Sequence, residues 1–233
     1  MTLLNARKLV GGYNSMMILS DCSIEVAAGE VVVMVGPNGA GKTTVMKAIL
    51  GMINLTGGSV IFKGEDVTSL PPQSRVVRGM AMVPQNHNVF TSLSIEENLE
   101  MGAYLRKDDY SASLEQVFSL FPVLREKRTQ VAGELSGGQR QQLAVGRALM
   151  TQPDLLMLDE PTAGVSPIVM NEIFDQVLRI RDQGIGILIV EQNARQALSI
   201  ADVGYVLVNG KNRHTAKGYE LLNNPDVRQS FLG

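Results

Sequence analysis

The stretch VVVMVGPNGAGKTT, residues 31–44, constrains the fold most strongly, because an apolar run of strand length leads through a glycine-containing loop directly into a helical pattern. Along the rest of the chain, short runs rich in β-branched residues alternate with helical patterns. This alternation favours an α/β architecture with a mostly parallel sheet. The predicted strands are 3–9, 22–26, 31–35, 59–62, 80–83, 155–158, 186–190 and 204–208. The predicted helices are 43–51, 73–78, 95–104, 112–121, 137–150, 168–181 and 193–200.

The predicted domain organisation depends on one strand-rich region and one region without strand patterns. The first third is rich in strands that turn at glycine-containing loops, which predicts an antiparallel β subsheet there. Between about 86 and 150 no strand is evident and the periodicity is helical. Ser94 followed by Glu97 has the capping-box spacing, which predicts a helix that starts at 95. We therefore predict a single domain over 1–233, with an α/β core from 1–85 and 151–233 and an inserted helical subdomain from 86–150.

Composition narrows the class of protein and its compartment. A net charge of −2 argues against a nucleic-acid binder that relies on a broad basic surface. The single cysteine, Cys22, cannot form an internal disulfide, which indicates a reducing compartment, and we expect a small apolar residue on a strand face. The longest apolar runs are of strand length, and the N-terminus lacks a signal-peptide pattern. We expect a soluble, cytoplasmic protein that meets a membrane only through a partner.

The loop at 36–44 fits the pattern G-x-x-x-x-G-K-[ST] directly after a strand, which is the context the motif requires. Its glycines let backbone N–H groups turn inward around a phosphate. Lys42 would reach the β- and γ-phosphates, Thr43 would offer a hydroxyl to Mg²⁺, and the start of the next helix would add its dipole. The full match disfavours a chance glycine-rich turn. The predicted loop consists of Gly36, Pro37, Asn38, Gly39, Ala40, Gly41, Lys42, Thr43 and Thr44.

A second motif supplies carboxylates. The apolar run LLMLD ends at Asp159, and Glu160 follows at once. A carboxylate at the tip of a buried strand can hold a hydrated Mg²⁺ in front of phosphates, and the adjacent Glu160 could then polarise an attacking water. An apolar strand that ends in Asp-Glu is common by itself. Together with the phosphate loop, it predicts a nucleoside triphosphatase.

A third motif is LSGGQRQQLAVGRAL at 135–149, where Ser136, Gly137 and Gly138 open a helix whose free N–H groups could bind an anion. The chain already has a phosphate loop, so a second anion-binding helix start could serve the nucleotide of a second subunit. The alternative is an ordinary serine N-cap followed by glycines.

LSGGQ between a phosphate loop and the run LLMLDE resembles the ABC-type ATPase family, over essentially the whole chain and in the family's motif order. The resemblance implies a P-loop NTPase core and two domains that clamp two ATP molecules head to tail. Each ATP would lie between one phosphate loop and the other domain's Ser136, Gly137, Gly138 and Gln139. Gln85 matches the family's lid glutamine, a Mg²⁺ and water ligand, and Tyr13 matches the aromatic residue that stacks on adenine. Alone, Gln85 would be a polar loop residue and Tyr13 a partly buried surface residue.

The chain departs from the family at Gln192, where most members have a histidine. Its two histidines, His87 just past Gln85 and His214 after the last predicted strand, are not placed to substitute. A glutamine can donate a hydrogen bond of about 0.5–1.5 kcal/mol to the γ-phosphate, against about 1.5–3 kcal/mol for a charged donor. Gln192 therefore either slows the site, making it more dependent on a partner, or positions groups as a histidine would. Because Glu160 is intact, we expect an active ATPase. Gln192 suggests that it pairs with a histidine-bearing subunit, with a homodimer as the alternative.

A second departure lies at Ser166, where the family commonly has an aspartate that helps communication across the dimer. Ser166 and Pro167 are instead expected to be the N-cap and first-turn proline of the helix from 168.

Three further stretches, VEQNARQAL, ADVGYVLVNG and the C-terminal FLG, resemble the shorter ATP-binding subunit of branched-chain amino-acid importers. Urea and amide importers use similar subunits, and lipopolysaccharide-export ATPases are a weaker rival. The resemblance implies ATP and Mg²⁺ as cofactors, a second ABC ATPase subunit, two integral membrane permease subunits and, indirectly, a periplasmic or extracellular binding protein. It implies no nucleic-acid partner and a peripheral place on the inner face of the bacterial plasma membrane.

Two other classes of function are disfavoured. A non-transport ABC ATPase acting on chromosomes or ribosomes typically has a long coiled-coil insertion or two ATPase domains in one chain. A P-loop kinase or GTPase would leave the LSGGQ helix unexplained, and no N-K-x-D stretch occurs. The stretch NHNVFTSLSIEENL is expected to form a groove that receives a coupling helix of the permease. Val89 and Phe90 would either line that groove or pack inside the helical subdomain.

Overall fold

The structure is a computed structural model that describes residues 2–14, 16–86 and 88–231. His87 and the last two residues of the C-terminal FLG lie outside the described residues. The strands are β1 (Thr2–Tyr13), β2 (Met16–Ala27), β3 (Val31–Val35), β4 (Leu55–Phe62), β5 (Glu65–Asp66), β6 (Met80–Val83), β7 (Leu155–Asp159), β8 (Gly186–Val190), β9 (Val203–Val208) and β10 (Lys211–Lys217). The helices are α1 (Lys42–Leu50), α2 (Pro72–Val77), α3 (Ile95–Gly102), α4 (Ser111–Leu120), α5 (Pro122–Glu126), α6 (Gly137–Leu149), α7 (Pro167–Arg181), α8 (Ala194–Ser199), α9 (Gly218–Asn223) and α10 (Pro225–Phe231).

Six strands form one sheet in the order β10-β9-β3-β8-β7-β6. Neighbours from β9 to β6 are parallel, whereas β10 is antiparallel at the edge. β3, β7 and β8 are buried along their whole length, because both faces of this sheet are covered. β8 lies between β3 and β7, so the loops that follow these three strands meet at one edge of the sheet. The predicted α/β class is confirmed.

The expected antiparallel subsheet is also present, as a four-stranded sheet in the order β2-β1-β4-β5. Its first two strands extend well beyond the predicted 3–9 and 22–26, and β4 begins at Leu55 rather than at 59. Register shifts interrupt the pairing of β1 with β2, and they disturb the alternation by which strand ends are recognised in a sequence. Cys22 is fully buried in β2, as predicted.

The core has two parts, one on each face of the six-stranded sheet. Alternate residues of β3 show the division, because successive side chains of a strand point to opposite faces. Val31, Val33 and Val35 pack with side chains from the helices α3 to α7. Val32 and Met34 pack against α1 and the antiparallel sheet. The helices between β6 and β7 therefore share one hydrophobic cluster with the parallel sheet.

Most helix boundaries agree with the predictions to within two residues. Ser94 and Glu97 form the expected capping box at the start of α3, with hydrogen bonds of 2.7 and 3.2 Å. Ser166 accepts a hydrogen bond from the Val169 N–H at 3.4 Å, which confirms it as the N-cap of α7, with Pro167 in the first turn. Within the described ranges, no helix combines the length and apolarity that crossing a membrane requires.

The C-terminal part required a correction. His214 does not follow the last strand but lies inside β10, which the sequence reading missed together with α9 and α10. β10 reads KNRHTAK, and its residues alternate between exposed and half-buried without a fully buried position. As an edge strand that pairs only with β9, it has no apolar run by which it could be recognised. The short elements β5 and α5 were missed as well.

Arg75 of α2 fixes the far end of the helix that starts at the phosphate loop. Its side chain is 2 % exposed, and its guanidinium donates to the Ala48 and Ile49 carbonyls in the last turn of α1, at 3.0 and 2.6 Å. The same group donates to the Leu70 and Thr68 carbonyls at 2.9 and 2.7 Å. The last carbonyls of a helix lack the usual partner within the helix. The Ala48 carbonyl also accepts from the Gly51 N–H at 3.1 Å, whereas the Ile49 carbonyl depends on Arg75 for its short hydrogen bond.

Candidate active site

The phosphate loop connects β3 to α1, as the motif requires. Lys42 is 6 % exposed, and its ammonium donates to the Gly36 and Pro37 carbonyls at 2.8 and 3.2 Å. Burial lowers the pKa of Lys42, while the nearby carboxylates oppose that shift. A side chain at position 36 would place its Cβ 2.1 Å from the Leu207 carbonyl oxygen, so only glycine fits there.

A cavity of about 250 Å³ lies over this loop. Besides Glu160 and Ile18, it is lined by Asn38, Gly39, Gly41, Lys42, Thr43 and Thr44. Three predicted loop residues do not line the cavity: Gly36, Pro37 and Ala40. Within the loop, the Ala40 N–H donates a hydrogen bond to the Pro37 carbonyl at 3.1 Å. The structure thus brings most of the predicted phosphate contacts to one cavity, together with Glu160, the first residue after β7.

Thr43 and Asp159 lie together at one side of the site. The Thr43 hydroxyl donates to Asp159 Oδ1 at 2.9 Å. Burial raises the pKa of Asp159, and the Thr43 hydrogen bond and two lysines oppose the rise. In the described part of the chain, no group of three or more His, Cys, Asp and Glu could hold a metal by itself. One hydroxyl and one carboxylate suit Mg²⁺, which usually keeps waters and binds substrate phosphates beside few protein ligands.

Glu160 follows Asp159 with a left-handed backbone, φ 48°. Its N–H donates to the Val190 carbonyl at 2.8 Å, and its carboxylate accepts a hydrogen bond of 2.8 Å from the Gln85 amide. Burial raises the pKa of Glu160, Lys42 lowers it, and the neighbouring carboxylates raise it further. Gln85 and Glu160 are distant in sequence, so the fold brings together the predicted lid glutamine and the predicted water-polarising group.

Gln192 is exposed where the chain leaves β8, between the phosphate loop and Glu160 in the sheet order. Its side chain makes no hydrogen bond with the described residues. The preceding Glu191 is 1 % exposed, and both of its carboxylate oxygens accept hydrogen bonds. The Glu191 carboxylate accepts hydrogen bonds from the loop of Thr162 and from the Gln192 and Asn193 N–H groups. Neither Glu191 nor Thr162 was predicted to have a role. The sequence feature that could have indicated one for Glu191 is a carboxylate directly after a buried strand.

The LSGGQ segment begins α6 with Ser136 as N-cap. Ser136 and Gln139 form a capping box, in which the Ser136 N–H donates to Gln139 Oε1 at 3.2 Å and the Gln139 N–H donates to Ser136 Oγ at 3.3 Å. A Cβ at Gly138 would lie 2.7 Å from a Val169 methyl group, so glycine allows α6 to approach α7. No residue of 136–139 is among those that line the phosphate cavity of the described chain. Gly137 instead lines a separate cavity of about 220 Å³ together with Gln85 and Glu160.

Residues 19–163, which carry the phosphate loop, Gln85, the LSGGQ segment and the Asp159–Glu160 pair, match the family described as ABC transporter. The chain belongs to the ABC transporter family. It is 43 % identical over 232 residues to the high-affinity branched-chain amino acid transport ATP-binding protein BraG of Pseudomonas aeruginosa, covering 99 % of this chain and 100 % of BraG. It is 40 % identical over 233 residues to the probable branched-chain amino acid transport ATP-binding protein LivF of Archaeoglobus fulgidus, covering 99 % of each.

Other relatives widen the comparison. The lipopolysaccharide export system ATP-binding protein LptB of Haemophilus influenzae is 33 % identical over 240 residues, with 100 % of this chain and 98 % of LptB covered. Among solved structures, a nucleotide-free ATP-binding cassette from an ABC transporter superposes with a TM-score of 0.89 at 29 % identity, covering 100 % of both chains. The whole chain therefore has the fold of an ABC ATPase and belongs to a family of nucleotide-binding, ATP-hydrolysing subunits.

Tyr13 lies apart from the phosphate cavity of this ABC ATPase, at the end of β1. It is 39 % exposed, and the Lys47 ammonium lies 5.6 Å from the centroid of its ring. Lys47 belongs to α1, so the ring is near the helix that starts at the phosphate loop. Adenine stacking by Tyr13 stays a prediction.

A second surface of the ABC ATPase is a groove of about 450 Å³ between α3, α6 and the chain after β6. Phe90 lines it and is 46 % exposed, whereas Val89 packs against the hydrophobic core. Asn98, fully buried, holds this turn by accepting from the Phe90 N–H at 2.8 Å and donating to the Phe90 carbonyl at 2.9 Å.

Arg147 is the one charged residue among those that line this groove in the described chain. Its guanidinium carbon lies 4.8 Å from the centroid of the Phe90 ring, and burial lowers its pKa. Within residues 2–14, 16–86 and 88–231, its guanidinium has no carboxylate partner. The groove therefore offers an apolar surface with one half-buried positive charge.

Proposed function

We propose that this ATPase powers an importer for branched-chain or other hydrophobic amino acids. The observation that carries the proposal is that Lys42, Thr43 and Glu160 line one phosphate cavity. Asp159 is hydrogen-bonded to Thr43 and Gln85 to Glu160 at its border. Similarity over the full chain to two ATP-binding proteins of branched-chain amino acid transport supports the cargo.

The proposed roles follow from the contacts. Lys42 binds the β- and γ-phosphates in place of the loop carbonyls to which it now donates. Thr43, Asp159 and Gln85 would hold Mg²⁺, which when bound neutralises phosphate charge. Glu160 polarises the attacking water, and burial of its carboxylate is consistent with this task because a raised pKa makes it a stronger base.

Contacts to the rest of the nucleotide complete the proposed site. Gln192 donates its amide to the γ-phosphate, and Tyr13 stacks on adenine. Ser136, Gly137, Gly138 and Gln139 bind the ATP of a second ATPase subunit. Their position outside the phosphate cavity of their own chain supports this last assignment.

The proposed assembly has two ATPase subunits and two integral membrane permease subunits, supplied by a periplasmic or extracellular binding protein, with no nucleic acid. The ATPase would be cytoplasmic and peripheral, on the inner face of the bacterial plasma membrane. The groove beside Phe90 would receive a helix of the permease. We favour a heterodimer, because Gln192 cannot carry the charge that a histidine-bearing subunit would supply.

A second candidate is an ATPase of lipopolysaccharide export, which the 33 % identity to LptB over the whole chain favours. A urea or amide importer is a third possibility by sequence resemblance alone. Reconstitution with candidate permease subunits, followed by uptake assays with leucine, urea and acetamide, separates the import cargoes, and uptake of none of them would favour the export function.

The first experiment measures ATP hydrolysis by the purified chain over a wide concentration range, beside Glu160→Gln and Gln192→His. We expect a rate that rises more steeply than concentration and a loss of about 100-fold or more in Glu160→Gln, since a general base contributes at least that much. Gln192→His should raise kcat about fivefold, because a charged donor adds about 1 kcal/mol. Low activity at every concentration would point to an obligate partner subunit, and unchanged hydrolysis in Glu160→Gln would contradict the assigned roles.

The permease groove is tested by Phe90→Glu, with Val89→Glu as its neighbour. Because Phe90 is exposed in the groove, its charged variant should uncouple transport while ATP binding and stability stay close to wild type. Val89 packs against the core, so its charged variant should instead destabilise the fold. Normal transport by a folded Phe90→Glu variant would show that the groove is not the permease contact.

A further inference from the structure

Glu191 joins two loops that the proposed mechanism needs in a fixed relation. Its Oε1 accepts the Thr162 N–H at 2.9 Å and the Thr162 hydroxyl at 2.7 Å. Its Oε2 accepts the Gln192 N–H at 3.0 Å and the Asn193 N–H at 3.4 Å. Thus one oxygen binds the loop that carries Glu160, and the other binds the loop that carries Gln192.

The rest of the surroundings strengthens the link. The Asn193 amide donates to the Thr162 hydroxyl at 3.2 Å, so the two loops are also bonded directly. The Glu191 N–H donates to the Met34 carbonyl at 3.1 Å, on the strand that leads into the phosphate loop. Glu191 is the first residue after β8. It is therefore bonded to β3 and to the loop that follows β7, near the carboxyl ends of these three strands.

Burial argues for more than a packing role. Glu191 and Thr162 are each 1 % exposed, and Glu191 forms no ion pair with the described residues. A buried charge is weak evidence for stability, because well-packed apolar residues often serve a core as well or better. Three of its four hydrogen bonds instead restrain backbone N–H groups of both loops, and in the fourth the carboxylate accepts from the Thr162 hydroxyl. The left-handed backbone at Glu160, φ 48°, is a conformation that persists only where neighbours hold it.

We propose that Glu191 is a positioning residue for ATP hydrolysis, whose two carboxylate oxygens hold the Glu160 loop and the Gln192 loop at a fixed separation. The inference rests on the roles proposed above for Glu160 and Gln192. Both groups must meet the same γ-phosphate and attacking water, and small displacements of such groups reduce rates strongly.

The test compares Glu191→Gln, which keeps the length but has one acceptor oxygen, with Glu191→Asp, which keeps the charge but is too short to reach both loops. Glu30→Gln is the matched control, because Glu30 accepts the Ala27 N–H at 2.7 Å outside the site. For each variant, kcat and KM for ATP, the affinity for a fluorescent ATP analogue and the cooperativity of melting are measured in the assembly that gives the wild-type rate.

We expect both Glu191 variants to lower kcat about 10- to 100-fold while ATP affinity stays within about twofold, with Glu30→Gln unchanged. Thr162→Val, which removes one donor to Glu191, should lower kcat in the same direction, and its combination with Glu191→Gln should lower it no further than Glu191→Gln alone. If Glu191→Gln fails to melt cooperatively, Glu191→Asp and Thr162→Val decide the question.

Three results would overturn the proposal. Normal kcat in both folded Glu191 variants would exclude a positioning role. Normal kcat in Glu191→Asp with a loss in Glu191→Gln would show that only the charge matters. Independent, multiplicative losses in the double variant would show that Glu191 does not act through Thr162. A loss in Glu160→Gln beside normal Glu191 variants would leave the proposed function standing, whereas normal hydrolysis in Glu160→Gln would remove the role on which the proposal rests.

Discussion

Two arginines without carboxylate partners in the described chain mark two different regions. Arg75 is 2 % exposed and donates to four carbonyl groups, so its charge is compensated within the chain. Arg147 is half-buried in the groove, and its guanidinium carbon lies 4.8 Å from the centroid of the Phe90 ring. The first region is complete in the isolated chain. If the groove receives a helix of the permease, as proposed above, that helix is expected to carry a carboxylate opposite Arg147.

The largest effect is expected at Arg75. Arg75→Met should lower the free energy of unfolding by about 3 kcal/mol or more, because several buried carbonyls lose their donor. Urea denaturation measures this change. Arg78→Met is the matched control: Arg78 is a surface residue paired with Glu65 at 3.1 Å, and its loss should change stability by less than about 1 kcal/mol. Equal losses of unfolding free energy in the two variants would show that the buried hydrogen bonds of Arg75 stabilise the fold no more than a surface ion pair does.

The opposite pattern is expected at Arg147. Arg147→Glu should lower the free energy of unfolding by no more than about 2 kcal/mol, because a cation–π contact contributes about 0.5–2 kcal/mol depending on its burial. Its affinity for the permease subunits should fall about tenfold or more, because the partner's carboxylate would meet a like charge. Co-purification and a binding titration with the permease measure this, with Arg147→Lys expected to lie between. Wild-type affinity in Arg147→Glu would show that no carboxylate meets this position.

The smallest change to the protein comes from a chemical probe of the buried core at Cys22, which needs no mutation. Burial raises the pKa of Cys22 to about 12, and Asp21 adds to the rise. Since the thiolate is the reactive form, iodoacetamide at pH 8 should modify the native protein at least about 1000-fold more slowly than the urea-unfolded chain. Mass spectrometry over time measures both rates. Comparable rates in the native and unfolded protein would show that the core around Cys22 opens readily. The contrast between a closed core and an open groove beside Phe90 would then be wrong.

Sequence patterns predicted those parts of the fold that depend on local chemistry. The runs VVVMV and GILIV gave β3 and β8 with correct bounds, and Ser94 with Glu97 gave the start of α3. The phosphate loop and Asp159 were predicted because their residue types and spacing are typical of a site for phosphate and Mg²⁺. These features carry their signal within a few neighbouring residues.

The missed features depend on distant partners. Nothing near Arg75 in the sequence shows that its guanidinium reaches the carbonyls of Ala48 and Ile49, and Arg147 resembles any arginine of an amphipathic helix. Glu191 belongs to the stretch VEQNARQAL, but no role was predicted for it. Its hydrogen bonds to Thr162 depend on β7 and β8 being neighbours in the sheet. Pairwise contacts across the sheet, rather than composition, decide what such polar residues do.

The polar alternation that concealed β10 also has a consequence for assembly. Lys211, Arg213 and Lys217 are exposed along this edge strand, and Asn212 is bonded to the Ser23 backbone of β2 at 2.7 and 2.9 Å. Charged residues and a covering strand are how proteins prevent sheets from joining edge to edge. A second chain therefore finds no free template along β10 for extending the sheet, which protects this edge of the protein from aggregation.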